Sequence, residues 1–216
     1  TYAEAHEYLG FLQCEAGRSA EGIRHVQLAV ELDPSLGISL LSVLRHHALL
    51  GDYETATRLL REIKRDPQIP WFAVAVVELR LAAWRKDPHA AEQVRLPSGV
   101  GDGNPALLLP AMMRALLLGE LDPPTMAARL EPTLATLTNP RFRTTSRQIA
   151  TELFAGAGAV ALAMDQLRAA DELGVLVDAD WMDRCPSLEV LRDRTDFQEI
   201  RERVRARADA IWRSSA

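Results

Sequence analysis

The side chains of this sequence that most resemble catalytic chemistry lie together in the stretch WMDRCP, residues 181–186. A cysteine such as Cys185 acts as a nucleophile when its thiol pKa is lowered and a base, most often histidine, lies beside it. Arg184 would lower that pKa, but the five histidines all lie in the first half of the chain. We therefore predict that Cys185 is a small buried residue at a corner between helices and that Trp181 anchors this corner.

Histidine and cysteine are also the usual ligands of transition metals, and their spacing here does not suit a metal site. His46 and His47 are consecutive and would point about 100° apart on a helix, so they cannot readily hold one ion. The sequence has no H-x-x-x-H pattern, and Cys14 is far from Cys185 along the chain. We predict no metal ligands.

Two glycine-rich stretches, SGVGDGN and FAGAGAV, have the composition of loops that hold phosphate groups. Neither follows a predicted strand, and neither carries the Lys-Ser/Thr pair that binds phosphate and magnesium in such loops. Paired carboxylates such as Asp178 and Asp180 have nothing in the sequence that separates them from ordinary charged surface. The sequence therefore predicts a protein that is not an enzyme, with no catalytic residue and no cofactor.

The composition is typical of a soluble globular protein, since 48% of the 216 residues are hydrophobic and 25% are charged. The formal net charge is −5 and the basic residues are spread along the chain, which argues against a nucleic-acid partner. The longest apolar runs are far shorter than the roughly 20 residues that cross a bilayer, so we predict no membrane partner. Two cysteines and the lack of a signal-peptide pattern favour the cytoplasm. Because the chain does not begin with methionine, we expect a segment of a larger protein.

A repeat organises the first third of the chain, where Gly51 lies 34 positions after Gly17 and the flanking sequences align at that offset. The stretch AEAHEYLGFLQCEA has apolar residues at helical spacing, and Gly17 suits the left-handed turn at a helix end. A second helix follows and ends at Asp33-Pro34, because the residue before proline avoids helical geometry. No run alternates as a half-buried strand does. We predict an all-α fold built from helix pairs.

The stretch AEAHEYLGFLQCEAGRSAEGIRHVQLAVELDP, residues 3–34, strongly resembles a tetratricopeptide repeat, and LGDYETATRLL resembles the second helix of another. Gly10, Gly22 and Ala29 stand where that family keeps its packing residues. The resemblance implies one domain of stacked helix pairs in a right-handed superhelix, closed by a terminal cap. It places helix pairs at 3–36, 37–69, 70–96, 105–138 and 140–174, the cap at 178–213 and a hinge at 95–105.

Two local features refine this expectation. Leu44 stands where the first pair has Gly10, which implies a wider spacing or a changed angle between the helices of the second pair. In the cap, TDFQ matches a capping box, in which the Thr195 hydroxyl accepts from the backbone and Gln198 reaches back. The final helix therefore begins just after Thr195.

In tetratricopeptide proteins the first helix of each pair usually lines a concave groove that binds peptides. The resemblance implies such a groove here, with a mixed acidic and apolar lining: Glu4, Glu7, Phe11, Cys14, Ile38, Leu41, Arg45 and Leu79. Glu7 and Phe11 stand where chaperone-binding members keep the Lys and Asn that clamp a carboxylate, so that clamp is absent. The lining favours a basic, amphipathic peptide or protein segment as partner. An equal alternative is that a neighbouring domain of the same polypeptide fills the groove.

The terminal stretch WMDRCPSLEVLRDRTDFQEIRERV resembles a segment that follows tetratricopeptide-like helices in large bacterial signalling proteins, although DRTDF here replaces the DPRF found there. Those proteins include myxobacterial-type serine/threonine kinases and ATPase regulators. The resemblance implies a non-catalytic C-terminal scaffold that docks a protein partner or a catalytic domain of the same polypeptide. The alternative function is that of a ligand-sensing regulator, which would hold a small molecule or peptide pheromone in a deep apolar pocket near Phe11, Leu41 and Leu79.

Overall fold

The computed structural model describes residues 2–96 and 105–213. Across those two ranges it contains helices and no β-strand, so the predicted all-α class is confirmed. The predicted hinge at 95–105 lies mostly outside the described residues. The α-helices are α1 Ala3–Glu15, α2 Ser19–Leu32, α3 Leu40–Leu49, α4 Tyr53–Ile63, α5 Trp71–Arg85, α6 Pro88–Gln93, α7 Pro105–Leu117, α8 Pro123–Thr136, α9 Pro140–Gly156, α10 Val160–Asp171, α11 Ala179–Arg184 and α12 Thr195–Arg213, with 3-10 helices at Pro34–Ser39 and Pro186–Leu191.

Aspartate caps begin several of these helices. The Asp52 carboxylate accepts a hydrogen bond from the backbone N–H of Thr55 at 3.0 Å, and Asp122 accepts from that of Thr125 at 2.9 Å. These bonds satisfy N–H groups that the first helical turn leaves without a partner. The Asp122 cap directly precedes Pro123, the first residue of α8, where proline lacks only an N–H that would have no helical partner.

The described helices form two compact units, each assembled from segments that are separate in the sequence. Unit 1 comprises residues 1–77, 177–184 and 203–216, and unit 2 comprises 78–176 and 185–202. The repeat pattern predicts a single domain and gives no sign of this division. The predicted superhelix and its handedness remain predictions.

In unit 1, α1 and α2 cross so closely that two glycines are required at the contact. A Cβ atom added to Gly22 would lie 2.6 Å from the Cys14 sulfur and 2.6 Å from the Gly10 carbonyl oxygen. One added to Gly10 would lie 2.6 Å from a methyl group of Val26. These separations are far below the 3.5–4.0 Å of ordinary carbon contacts. The helix pair can therefore pack at this distance only with glycine at both positions.

The rest of unit 1 is built on this pair. The helix α3 packs against α2 and α4, with Leu44 and Ala56 fully buried. The short helix α11 packs against both α1 and α3, and its Trp181 is fully buried, as predicted for the anchor of the terminal corner. Asp178 caps α11 by accepting from the Trp181 backbone N–H at 3.1 Å. The chain thus returns to its first two helix pairs about 100 residues after leaving them.

In unit 2, α9 is the central helix and packs against α7, α8, α10 and the 3-10 helix Pro186–Leu191. Its Glu152 is fully buried and accepts hydrogen bonds from the Arg80 guanidinium through both carboxylate oxygens. The Trp84 indole N–H also donates to Glu152, at 3.0 Å. A buried carboxylate is tolerated when it is paired and hydrogen-bonded in this way. Cys185, in the same unit, is fully buried as predicted.

The start of α12 differs from the capping box predicted at TDFQ. The helix already includes Thr195, and Gln198 donates its side-chain amide to the Arg192 carbonyl at 3.2 Å instead of reaching the Thr195 backbone. Asp196 lies in the first turn and forms ion pairs with Arg194 at 3.0 Å and Arg168 at 2.7 Å. The negative side chain that suits this helix start is therefore Asp196, and the predicted Thr195–Gln198 box is wrong.

Candidate functional site

Most residues predicted to line the groove lie in unit 1, on α1, on the 3-10 helix Pro34–Ser39 and on α3. The hydroxyl of Ser39 donates to the Glu7 carboxylate, which brings the 3-10 helix beside α1. Leu79 is the exception, because it lies in unit 2 with its side chain fully buried. The remaining residues divide into a closed end and an open end of one surface.

The closed end contains Cys14, Leu41 and Arg45. Cys14 and Leu41 are buried, and α11 packs against the two helices that carry them. The Arg45 guanidinium donates to the Asp178 carboxylate at 2.5 Å, and the Ser19 hydroxyl donates to Asp180. The chain's own residues 177–184 thus cover this part of the predicted groove, so an external peptide does not reach it in this structure.

Electrostatics hold α11 in this position. Burial disfavours the charged form of Asp178, but the charge and the hydrogen bond of the Arg45 guanidinium, together with the Trp181 backbone N–H, outweigh burial and keep the pKa of Asp178 below its ordinary range. Burial, together with the nearby Arg45, lowers the pKa of His46, which favours the neutral imidazole. His46 Nδ1 donates to the Ser42 carbonyl at 2.9 Å. The junction therefore combines an ionised carboxylate with a neutral histidine.

Burial also decides the chemistry of Cys14. It raises the pKa of the Cys14 thiol to about 12, because a thiolate would lose its hydration inside the protein. A nucleophilic cysteine needs the opposite shift and access to substrate. Cys14 is a packing residue against Gly22, not a reactive thiol.

The open end presents acidic and apolar side chains together. We define the open face as Glu4, Glu7, Tyr8, Phe11 and Ile38. The four α1 residues follow the i, i+3, i+4, i+7 spacing, which places them on one side of the helix. Glu4 is exposed, Tyr8 is 72% exposed and Ile38 is 42% exposed. The open face offers an aromatic and aliphatic surface next to carboxylates.

The helix α1 carries acidic side chains and no Lys or Arg. These acidic residues are Glu4, Glu7 and Glu15. The Glu7 carboxylate is positioned by Ser39, and the Glu4 side chain is exposed. The open face therefore combines the exposed Tyr8 ring with two carboxylates.

Sequence reasoning missed Tyr8, which is the most exposed large apolar side chain of the open face. Tyr8 lies one position after Glu7 and four after Glu4, so helical spacing alone predicts that it shares a side of α1 with these two residues. The tetratricopeptide resemblance instead predicts Phe11 as a lining residue, and the structure shows that Phe11 is half-buried. Tyr8 therefore belongs in any test of this surface.

A second concave region of unit 1, with a volume of about 430 Å³, lies between the α1–α2 turn, α11 and the end of α12. The Trp212 indole N–H donates to the Ala16 carbonyl at 2.8 Å, and the Arg18 guanidinium stacks over the ring at 4.1 Å. Asp183 pairs with Arg205 at 2.7 Å. These groups satisfy one another, so we interpret the region as a structural junction.

Two histidines meet between α1 and α2. His6 Nδ1 lies 2.9 Å from His25 Nδ1, so one ring donates an N–H and the other accepts it. Nowhere in residues 2–96 and 105–213 do three His, Cys, Asp or Glu side chains converge as a metal site would require. The histidine pair is therefore a hydrogen bond that links two helices.

Comparison with known proteins gives no relative from which a function could be transferred. No family model, no curated protein and no solved structure matches this chain. Within the described parts of the chain, no helix combines the length and apolar character needed to cross a bilayer. Functional inference therefore depends on the surfaces themselves.

Proposed function

We propose that this chain is a non-catalytic docking module for protein–protein interaction and that its open face binds a basic, amphipathic segment of a partner protein. The observation that carries the proposal is the exposure of Tyr8 and Ile38 beside Glu4 and Glu7. Aromatic residues dominate the energy of protein interfaces, and complementary charge guides association. The tetratricopeptide resemblance of residues 3–34 supports the same role.

The module belongs, in this proposal, to the C-terminal part of a cytoplasmic bacterial signalling protein. The support is the resemblance of residues 181–204 to a segment that follows repeat helices in such proteins. The partner segment then comes from another protein or from a catalytic domain of the same polypeptide. A scaffolding role is also consistent with the burial of both cysteines and with the pairing of buried Glu152 to Arg80.

A peptide titration tests the open face directly. The probe is a fluorescein-labelled peptide in which Leu and Lys alternate at helical spacing, so that one side is apolar and the other basic. We expect fluorescence anisotropy to show binding to the full chain. Glu4→Lys and Tyr8→Ala should each weaken the affinity about tenfold, because they remove a complementary charge and an aromatic contact.

The matched control is Glu21→Lys, which makes the same charge change at an exposed position of α2 outside the open face. It should change the affinity less than about twofold, since distant exposed charges are screened by salt. A peptide of the same composition with scrambled spacing should bind more weakly. Equal binding by all variants, or no binding by the unmodified chain, would rule out the open face as the docking surface.

A further inference from the structure

Unit 2 contains a cavity that has no part in the docking proposal. It has a volume of about 260 Å³ and lies between the end of α5, the end of α9 and the 3-10 helix Pro186–Leu191. Ala83, Ala155 and Val190 supply apolar walls, and Lys86, Ser187 and Glu189 supply polar groups. The volume is below the roughly 300–1,000 Å³ of pockets that take drug-sized ligands, so its occupant must be small.

Lys86 stands in a backbone conformation that favours glycine. Its φ is 54°, and Asp87 N–H donates to the Ala82 carbonyl at 2.9 Å, which is the hydrogen bond of a glycine-type helix end. The other residues with positive φ in the described chain are all glycines: Gly17, Gly51, Gly119, Gly158 and Gly174. A non-glycine residue in this region is strained, and such strain concentrates at functional sites. Lys86 therefore combines a strained backbone with an ammonium group at the cavity.

Ser187 provides a second polar group that the fold does not use. Its side chain is buried and its Oγ atom has no hydrogen-bond partner in the described structure. Buried hydroxyl groups are nearly always hydrogen-bonded, because an unpaired one loses its bonds to water. Ser187 is among the residues that line the cavity, and its hydroxyl group has unused hydrogen-bonding capacity there.

Glu189 adds a charge opposite to that of Lys86. Both side chains line the same cavity, and among the described residues neither forms an ion pair or a side-chain hydrogen bond. They are also not paired with each other, so more than 4 Å separates the ammonium nitrogen from the carboxylate oxygens. Both side chains are solvent-exposed and stand at the mouth of the cavity, where two opposite charges match a ligand that carries both charges itself.

We propose that this cavity binds a small zwitterion of the free α-amino acid class. The ligand carboxylate binds the Lys86 ammonium and the Ser187 hydroxyl, and the ligand ammonium binds the Glu189 carboxylate. The carbonyl ends of α5 and α9 bear partial negative charge and also favour that ammonium. An apolar ligand side chain packs against Ala83, Ala155 and Val190, of which Val190 is 51% exposed.

Calorimetric titration of the full chain with L-leucine tests the proposal, and leucinamide and N-acetyl-leucine serve as matched probes that each lack one charge. We expect leucine to bind with a Kd below about 1 mM and each analogue to bind at least tenfold more weakly. Equal binding of an analogue would overturn the zwitterion assignment. If neither leucine nor any other neutral amino acid of a standard panel binds, the proposal is overturned altogether.

Lys86→Gly separates a binding role from a structural one. The substitution relieves the backbone strain, so we expect Tm to rise by about 2–4 °C while leucine binding falls at least tenfold. A fall in Tm together with unchanged binding would show that Lys86 serves the fold alone. Ser187→Ala and Glu189→Gln should each weaken binding about tenfold, whereas Glu172→Gln, at an exposed position of the same unit, should leave it unchanged.

Discussion

At the scale of single residues, Asp178 and His46 should make the stability of the protein depend on pH. The pKa of His46 is lowered in the folded state, so the unfolded chain binds the proton more readily below about pH 6.5. The pKa of Asp178 is also lowered, so its stabilising contribution is present above about pH 4 and lost on further acidification. Both effects make the free energy of unfolding fall as the pH falls.

Urea unfolding followed by circular dichroism between about pH 3 and pH 8 measures this dependence. His46→Gln should flatten the curve near pH 6, and Asp178→Asn should flatten it near pH 4. Asp178→Asn should also cost about 3 kcal/mol at neutral pH, because it leaves the partly buried Arg45 without its counter-charge. A curve that is unchanged in both variants would contradict the assigned roles.

Two ion pairs between residues far apart in the sequence could not be predicted from local sequence. Arg45 was expected in the groove because its position in the repeat faces that side, but its carboxylate partner is Asp178, 133 residues away. Helical periodicity identifies which side of a helix a residue occupies and carries no information about a partner so distant. For the same reason, the buried Arg80–Glu152 pair could not be predicted from the sequence.

At the scale of helices, the α1–α2 crossing depends on Gly22 and Gly10. We expect Gly22→Ala to destabilise the protein by at least about 2–3 kcal/mol, because the added methyl group has no space beside Cys14 and the α1 backbone must move. The measurement is the shift of the urea midpoint with an unchanged slope. Gln27→Ala, at an exposed position of the same helix, should be neutral or slightly stabilising.

Helix boundaries were the most predictable part of the structure. The pairs α1–α2, α3–α4, α7–α8 and α9–α10 fall inside the segments predicted for them, because amphipathic spacing, glycine ends and aspartate caps are all local signals. The capping box at Thr195 failed where a local motif competed with ion pairs of Asp196 to Arg194 and Arg168. Sequence could place the helices but not the partners that fix their ends.

The candidate docking site was only partly predictable. Its α1 residues follow from helical spacing, whereas the cover over Cys14 and Leu41 comes from α11, which belongs to a distant part of the sequence. The closed end is covered by residues 177–184 of the same unit, and the alternative that a neighbouring domain fills the groove stays a prediction. The open end retains Glu4 and Tyr8 as accessible groups.

At the scale of the whole molecule, unit 1 contains a contact between the α1–α2 turn and the end of α12. Trp212 donates to the Ala16 carbonyl and lies under Arg18, so Trp212→Ala removes a hydrogen bond and a cation–π contact. We expect a loss of about 1–2 kcal/mol in the free energy of unfolding. The matched control is Trp71→Ala, since Trp71 is an exposed tryptophan of α5, and it should cost less than about half as much. Equal losses in the two variants would show that the Trp212 contact adds no stability.

The return of residues 177–184 and 203–213 to unit 1 has a consequence during synthesis. Ala16 and its partner Trp212 are 196 residues apart, and ribosomes add about 5–20 residues per second. About 10–40 s therefore pass between the synthesis of Ala16 and that of Trp212. The surface of the first helix pair that α11 covers in the folded protein is exposed for most of that time. Transiently exposed apolar surface promotes aggregation, so we expect early-released chains that lack α11 and α12 to be less soluble than the full chain.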